Sequence, residues 1–292
     1  MRCRCAIAAV ALLSGCHATA GIRVDPPVRA EVAYTQARGQ YDLYRVRLRA
    51  AGETATGRLL RPRRGKGPFP AVLLNDGREL NSAALDYLPP EFGDVVVLSL
   101  DYPARLPEEF DPLTLLLESD QIRRELRRIP RLFSLGGAYL TQRADVDSSR
   151  LALVVTSFAV PFGVQAAAED RRFRNVGLIY GAGDLRAVLE ANLSLEPRFM
   201  RSLASWLALH LYGEFEPARY VAGIAPRPVV MVNGRDDPQM PVRAVRALYA
   251  AAREPKALIW LTTGHLLPTD RPLIRALVDT TLARLPVLEG AQ

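Results

Sequence analysis

Cysteine is missing from most of this sequence. The chain has three cysteines, and all of them lie within the first sixteen residues. The rest of the chain therefore offers neither a disulfide nor a thiol nucleophile. Histidine is almost as scarce, with three in the whole chain. Because zinc and similar metals are bound mainly by these two residue types, we expect no metal site.

Lysine is scarce too, and arginine supplies almost all of the positive charge. Lys66 and Lys256 are the two lysines, and the formal net charge is +7. Apart from basic clusters over residues 58–66 and 123–131, the arginines are scattered and mostly alternate with acidic residues. No basic face interleaved with aromatic residues accompanies this charge, so the sequence does not indicate nucleic-acid binding. Weak attraction to anionic lipid is the more natural use of the charge.

The first sixteen residues have the pattern of a secretory signal. Two arginines precede an apolar run over residues 6–13, which is too short to span a bilayer. The run ends in Leu13-Ser14-Gly15-Cys16, which resembles the lipobox of bacterial lipoproteins, where cleavage leaves the cysteine to carry lipid. Lipid on Cys16 would tether the protein to a membrane without spanning it. Ala18-Thr19-Ala20 also fits an ordinary cleavage site, which would leave the protein soluble in the periplasm.

Beyond the N-terminus, short apolar strands alternate with helical segments. Apolar and charged residues alternate over Tyr41–Arg49, which predicts a half-exposed antiparallel strand paired with Thr54–Leu60. Strands of the buried type follow over residues 71–74, 95–100 and 151–155, and further strands over residues 176–180, 228–233 and 257–261. Strands that alternate with helices at this spacing predict an α/β fold with a mostly parallel sheet covered by helices on both faces.

Two helical regions interrupt the simple alternation. Residues 113–140 have helical patterning, and we expect Pro130 to kink or divide that helix. Residues 185–220 are interpreted as a small helical cap inserted into the domain. Apolar residues surround most of the helix Phe199–Tyr212, so this helix either packs in the core or caps an apolar pocket. We expect a signal peptide over residues 1–15, a tether over 16–30 and one domain over 31–288.

One serine lies where a buried strand turns into a helix. Ser157 follows the apolar run Leu151–Val155 and precedes Pro161–Ala168, whose small and apolar residues suit a helix packed on a sheet. A side chain at such a turn projects from the sheet beside helix N-terminal amides, which can stabilise an oxyanion. This is the layout of a nucleophile elbow. The plainer alternative is that Ser157 is a turn or N-cap residue.

A nucleophilic serine needs a base and a group that orients the base. Asp237 and His265 each lie in the loop that follows a predicted strand. Because the carboxyl ends of parallel strands share one edge, both loops should converge on Ser157. Asp236 and Asp184 are alternative acids.

Two of these side chains also have plainer interpretations. Asp237 could serve only the turn before Pro238, and His265 could be a structural histidine. His210 lies within the apolar helix, where we interpret it as a buried or cap histidine.

The order of serine, aspartate and histidine in these contexts resembles the α/β-hydrolase superfamily, and within it the dienelactone-hydrolase and prolyl-oligopeptidase-related branch. The resemblance covers residues 46–285 and is clearest in Ile224–Pro241 and Trp260–His265. It implies an α/β-hydrolase fold in which Ser157 is the nucleophile, His265 the base and then acid, and Asp237 the orienting carboxylate. The implied oxyanion hole consists of the backbone N–H groups of Phe158 and Arg78.

The elbow departs from the family pattern of Gly-x-Ser-x-Gly. Here the five residues are Val155-Thr156-Ser157-Phe158-Ala159, so both glycines are replaced. Val155 places a branched side chain where crowding is greatest, which predicts a wider turn. Pro161 disfavours helical geometry at Val160. In the expected oxyanion loop, Asp76 would oppose a developing negative charge unless its side chain points away.

We therefore expect a carboxylic ester hydrolase that forms an acyl-enzyme on Ser157 and needs no cofactor. Its partners would be a small ester or acyl substrate and, through lipid on Cys16, the periplasmic or outer side of a bacterial membrane. The first alternative is a catalytically inactive member of the fold that binds a ligand or partner, which the glycine-free elbow motivates. A serine peptidase is a further alternative, less favoured because the sequence has no N-terminal propeller-sized domain.

Overall fold

The computed structural model describes residues 21–77, 80–88, 93–193, 195–265 and 270–286. Its strands are β1 Arg29–Arg38, β2 Tyr41–Ala50, β3 Glu53–Pro62, β4 Phe69–Asn75, β5 Val96–Leu100, β6 Val146–Thr156, β7 Asn175–Ile179, β8 Val229–Gly234 and β9 Lys256–Leu261. Its α-helices are α1 Pro112–Leu117, α2 Ser119–Gln142, α3 Val160–Glu169, α4 Leu185–Asn192, α5 Arg198–Tyr212, α6 Val242–Ala251 and α7 Arg271–Leu282. Short 3-10 turns include Asn81–Tyr87 and Ser157–Ala159.

The strands of these ranges form one sheet in the order β1-β2-β3-β5-β4-β6-β7-β8-β9. Strands β1, β2, β3 and β5 pair antiparallel, and every pair from β5 across to β9 is parallel. The predicted mostly parallel sheet is therefore confirmed. Strand β1 was not predicted, because nine of its ten residues are exposed and its sequence has no buried apolar run.

Helices cover both faces of the sheet, as predicted. Buried residues of α2, α3 and α6 form the apolar core on one face. Helix α7 and the 3-10 turn Asn81–Tyr87 pack on the other face. The central strands β4, β6, β7 and β8 run between these layers, which is why their sequences are nearly continuous apolar runs.

The long helical region is divided, but not at Pro130. Glu118 separates α1 from α2 with φ −103° and ψ 15°. Pro130 lies buried inside the single helix α2. Of the two effects expected of Pro130, division of the helix is therefore wrong, and a kink at this residue stays a prediction.

The start of the described chain packs on the domain. A tether was predicted over residues 16–30, yet Val24 and Val28 are buried. The Val24 amide donates to Ser134 Oγ at 2.8 Å, and the Val28 amide donates to Gln142 Oε1 at 2.8 Å. Residues 21–28 therefore run along α2, because the buried side chains of Val24 and Val28 pack in the core. The predicted signal segment and Cys16 lie outside the described residues.

Candidate active site

Ser157 lies at a strained turn between β6 and α3. Its φ is +50°, a left-handed conformation that is uncommon for a residue other than glycine. Thr156 is the last residue of β6, and the 3-10 turn Ser157–Ala159 leads directly into α3. Strain of this kind costs about 1–3 kcal/mol and persists only where the surrounding packing holds it. The turn directs Ser157 out of the sheet edge into a cavity that this side chain lines.

The packing around this turn explains how it forms without the family glycines. A Cβ placed on Gly163 of α3 would lie 2.6 Å from Cγ2 of Val155. The missing side chain in the helix therefore gives Val155 its space. Val160 is helical, with φ −59° and ψ −48°, so the expected effect of Pro161 on it is wrong. Pro161 is tolerated because the amides of the first helical turn have no intrahelical partner.

Asp237 and His265 meet at the same sheet edge. His265 Nδ1 lies 2.7 Å from Asp237 Oδ2, and the Asp237 side chain is 0% exposed. The other carboxylate oxygen of Asp237 accepts the amides of Gln239 at 2.7 Å and Met240 at 3.2 Å. With an ionised carboxylate, which only accepts hydrogen bonds, and a neutral imidazole, Nδ1 is the donor and Nε2 is left as the acceptor.

Neither alternative acid occupies this position. Asp236 is exposed to solvent. Asp184 caps α4, where its carboxylate accepts the amide of Ala187 at 3.2 Å. Among the described atoms, the hydroxyl of Ser157 and the ring of His265 form no hydrogen bond with each other. Catalytic contacts of this kind are often long without substrate and tighten only in the complex.

The loops that carry Asp237 and His265 are joined by backbone hydrogen bonds. The amide of Asp236 donates to the Thr263 carbonyl at 3.1 Å, and that of Arg235 to the Leu261 carbonyl at 2.8 Å. Gly234 permits this approach, because a Cβ there would lie 2.5 Å from the Thr263 carbonyl oxygen. The two loops are therefore held against each other.

Tyr180 is a site residue that sequence reasoning missed. It follows β7 with φ +52°, and its fully buried ring lies 5.0 Å from the His265 ring. Its hydroxyl donates to the Gly264 carbonyl at 2.9 Å, next to His265 in the chain. Burial raises the pKa of Tyr180, so this donor keeps its proton. No local pattern identifies the residue, since it ends an ordinary apolar strand.

Tyr102 links the loop after β4 to the residue after Ser157. Its hydroxyl donates to the Asp76 carbonyl, and its ring packs edge-on against Phe158 with centroids 5.4 Å apart. Phe110 and Phe162 contact the same Phe158 ring, at 5.8 and 5.3 Å. These aromatic contacts fix the peptide of Phe158, which was predicted to donate to the oxyanion.

The other half of the predicted oxyanion hole is partly outside the described residues. Arg78, the predicted donor, lies outside the described residues. Asn75 is buried, and its side chain exchanges two hydrogen bonds with the backbone of Leu100, at 2.6 and 3.2 Å. This clamp fixes the end of β4. Asp76 borders a small apolar cavity of about 30 Å³ on the other face of the sheet, and is not among the residues lining the cavity of Ser157.

Ser157 opens into an apolar cavity of about 440 Å³. Its walls come from α2, α3, α4, the end of α5 and the loop after Asp237. Polar side chains among the lining residues are few, and besides Ser157 and two tyrosines they are Asn192 and Gln239. The segment 185–220 thus forms part of the cavity wall.

Helix α5 is buried along one narrow side only. Ser205, Ala208 and Tyr212 face inward, whereas Phe199, Leu203 and Trp206 are 67%, 57% and 54% exposed. The helix is therefore not enclosed in the core, although Ala208 and Tyr212 on its inner side belong to the apolar core. His210 lies on the exposed side and stacks on Trp206 at 6.0 Å, which corrects its interpretation as buried.

Several solved structures share this architecture over most of the chain. The acetyl xylan esterase of Paenibacillus sp. R4 matches with a TM-score of 0.64 at 17% identity, over 88% of this chain and 90% of that chain. Acetyl xylan esterase 1 of Thermoanaerobacterium sp. matches with a TM-score of 0.59 at 16% identity, over 88% of each chain. An α/β hydrolase from Penicillium sp. matches over 88% of this chain and 100% of that chain, with a TM-score of 0.51 at 17% identity. This chain has the α/β-hydrolase fold.

Similarity in sequence covers a smaller part of the chain. No family model matches the chain. The uncharacterised protein YfhR of Salmonella typhi is 28% identical over 126 residues, which make up 43% of this chain and 43% of YfhR. The match thus spans less than half of that relative. None of the helices in the described ranges combines the length and apolarity that a bilayer crossing requires.

Proposed function

We propose that this α/β-hydrolase-fold protein is a serine hydrolase that cleaves carboxylic esters. The observation that carries the proposal is the buried Asp237 bound to His265, at the sheet edge where Ser157 adopts a left-handed conformation. Esterases among the structural neighbours support the same reaction class. The dienelactone-hydrolase branch, suggested by the sequence around Asp237, belongs to this proposal.

In the proposed reaction, Nε2 of His265 removes the proton of the Ser157 hydroxyl as Oγ bonds to the ester carbonyl carbon. The amide of Phe158 stabilises the negative oxygen that results, together with the predicted donor Arg78. His265 then returns the proton to the departing alcohol, which leaves an acyl group on Ser157. Water attacks the acyl group by the same route, and the acid and free serine are released.

Tethering by lipid on Cys16 at the cell envelope is a separate part of the proposal. It rests on the residues before Cys16 alone. Palmitate labelling of cells that express the full chain is expected to mark the wild type and not Cys16→Ala. Equal labelling of both would show that the label is not on Cys16, and no labelling of either would favour cleavage at the ordinary site after Ala20.

The triad is tested by labelling the purified protein with a fluorophosphonate probe. We expect the wild type and Ser149→Ala, an exposed serine near the start of β6, to label equally. Ser157→Ala is expected to show no labelling and to lose at least about a thousandfold in kcat on a short ester. Equal labelling of all three proteins would remove Ser157 from the reaction. Absence of labelling in a folded wild type would favour the inactive alternative, which the missing Ser157–His265 contact motivates.

A further inference from the structure

The cavity beside Ser157 is much larger than an acetyl group. Its volume is about 440 Å³. A methylene group takes about as much space as a water molecule, roughly 30 Å³, so the cavity has room for about fifteen such groups, or about a dozen carbons beside the ester group itself. Space of this size beside a nucleophile is informative because the structural neighbours include acetyl esterases.

The lining offers little to a polar ligand. Asn192 is a polar residue of the wall, and its amide group already donates to the carbonyls of Val188 at 2.8 Å and Gln239 at 2.9 Å. The deeper wall consists of aliphatic and aromatic side chains, including Ile122, Leu126 and Phe162. A sugar or a peptide would lose hydrogen bonds to water here without replacing them, which is costly. A hydrocarbon chain would lose none.

From these observations we propose that the substrate is an ester with an aliphatic chain of roughly six to twelve carbons, held in this cavity. The proposal rests on the proposed function, because it names the substrate class of the same site. The chain belongs either to the acyl group or to the alcohol of the ester, and both have the same chemistry in the cavity.

One wall of the cavity sets the upper limit of chain length. Tyr212 and Leu115 line both this cavity and an outer apolar groove of about 360 Å³ between α1 and α5. The Tyr212 hydroxyl donates to the Leu115 carbonyl at 2.7 Å, which holds the wall closed. Burial raises the pKa of Tyr212 to about 12, so the hydroxyl keeps its proton at ordinary pH.

The first experiment measures kcat/KM for p-nitrophenyl esters with acyl chains of two to sixteen carbons. A second series of acetate esters varies the alcohol instead. We expect kcat/KM in one of the two series to rise by up to about 4-fold for each added methylene, because burial of one methylene gives this ratio. In that series kcat/KM should fall beyond roughly twelve carbons.

Two variants are expected to shift this optimum in opposite directions. Val188→Trp fills the cavity from α4 and should shorten the preferred chain by several carbons. Val32→Trp, the same substitution on the exposed strand β1, should leave the profile unchanged. Tyr212→Ala joins the cavity to the outer groove and should lengthen the preferred chain. If Tyr212→Ala does not fold, Val188→Trp still decides the outcome.

A binding measurement separates this inference from the proposed reaction. Calorimetry on Ser157→Ala should show decanoate binding at least about tenfold tighter than butyrate, and Val188→Trp in that background should abolish the difference. A flat chain-length profile in an active enzyme, or equal binding of the two acids, overturns the inference and leaves the hydrolase standing. If binding depends on the length of the aliphatic chain but the protein shows neither turnover nor labelling, the proposed hydrolase activity is overturned. The inference that the cavity binds an aliphatic chain then remains.

Discussion

The side chain of Val155 in β6 occupies the space that a side chain at Gly163 in α3 would need. The two γ carbons of Val155 would lie 2.6 and 2.7 Å from an added Cβ, which is closer than non-bonded carbons approach. Strand and helix therefore come together at the nucleophile turn although the turn itself has no glycine. The small residue lies on the helix instead of the strand.

Gly163→Ala is expected to destabilise the protein by about 1–3 kcal/mol, the usual cost of overpacking, and to lower esterase activity by moving Ser157. The double variant Val155→Ala/Gly163→Ala should recover much of this loss, because the clash is removed. Chemical denaturation of the single and double variants measures the coupling. Gly223→Ala is the control, since a Cβ there meets Ala168 at an ordinary 3.4 Å. Additive effects of the two substitutions would contradict the compensation.

Asp237→Asn is expected to reduce kcat by about 10³–10⁴-fold, because an amide does not hold His265 in the required tautomer. Asp236→Asn changes the neighbouring residue in the same way. Asp236 is exposed, so this variant should keep wild-type activity. The measurement is kcat on a short ester for both variants after circular dichroism has shown that they fold. Similar losses in both would refute the assignment of Asp237.

Tyr102→Phe is expected to lower kcat about tenfold with little change in KM. It removes the hydroxyl that holds the Asp76 carbonyl but keeps the ring against Phe158, so only the placement of the oxyanion loop changes. Tyr220→Phe is the matched control, because its hydroxyl also donates to a backbone carbonyl, that of Glu214, at 2.8 Å. Both variants should lose about 1 kcal/mol of stability. A loss of kcat in both would indicate a general effect of stability.

Glu214 joins the segment after α5 to helix α2, and its contribution should depend on pH. Burial alone would raise its pKa, but hydrogen bonds from Arg127 and Arg123 and their charges hold the pKa below the ordinary 4.5. A carboxyl group whose pKa is lowered by folding stabilises the folded state at pH values above its unfolded-state pKa. This stabilisation is lost as the pH falls through its folded-state pKa.

The difference in unfolding free energy between the wild type and Glu214→Gln should therefore be about 1 kcal/mol at pH 7, after allowance for partial exposure. It should shrink as the pH falls below about 4.5. Urea denaturation of both proteins at pH 7, 5 and 3.5 measures this difference in unfolding free energy. Glu190→Gln, on α4, is the control. A difference that stays constant across this range would contradict the prediction.

Several features of the fold were determined by the sequence alone. Apolar runs such as Leu151–Val155 are buried on both faces in the interior of a parallel sheet, so their pattern predicts strands without knowledge of their neighbours. The turns that carry Ser157, Asp237 and His265 were predicted because each follows an apolar strand of the sheet. Strand β1 could not be predicted, because its residues are exposed and burial therefore imposes no apolar run on its sequence.

Only the tertiary structure decided which of these residues contact each other. Asp236 and Asp237 have the same chemistry and adjacent positions, and the choice between them depends on which carboxylate lies buried against His265. The contacts of Tyr180 with His265, of Tyr102 with Phe158 and of Gly163 with Val155 join residues from different elements of the chain. Such contacts depend on how the elements pack, and packing at a distance leaves no periodic pattern in a single sequence.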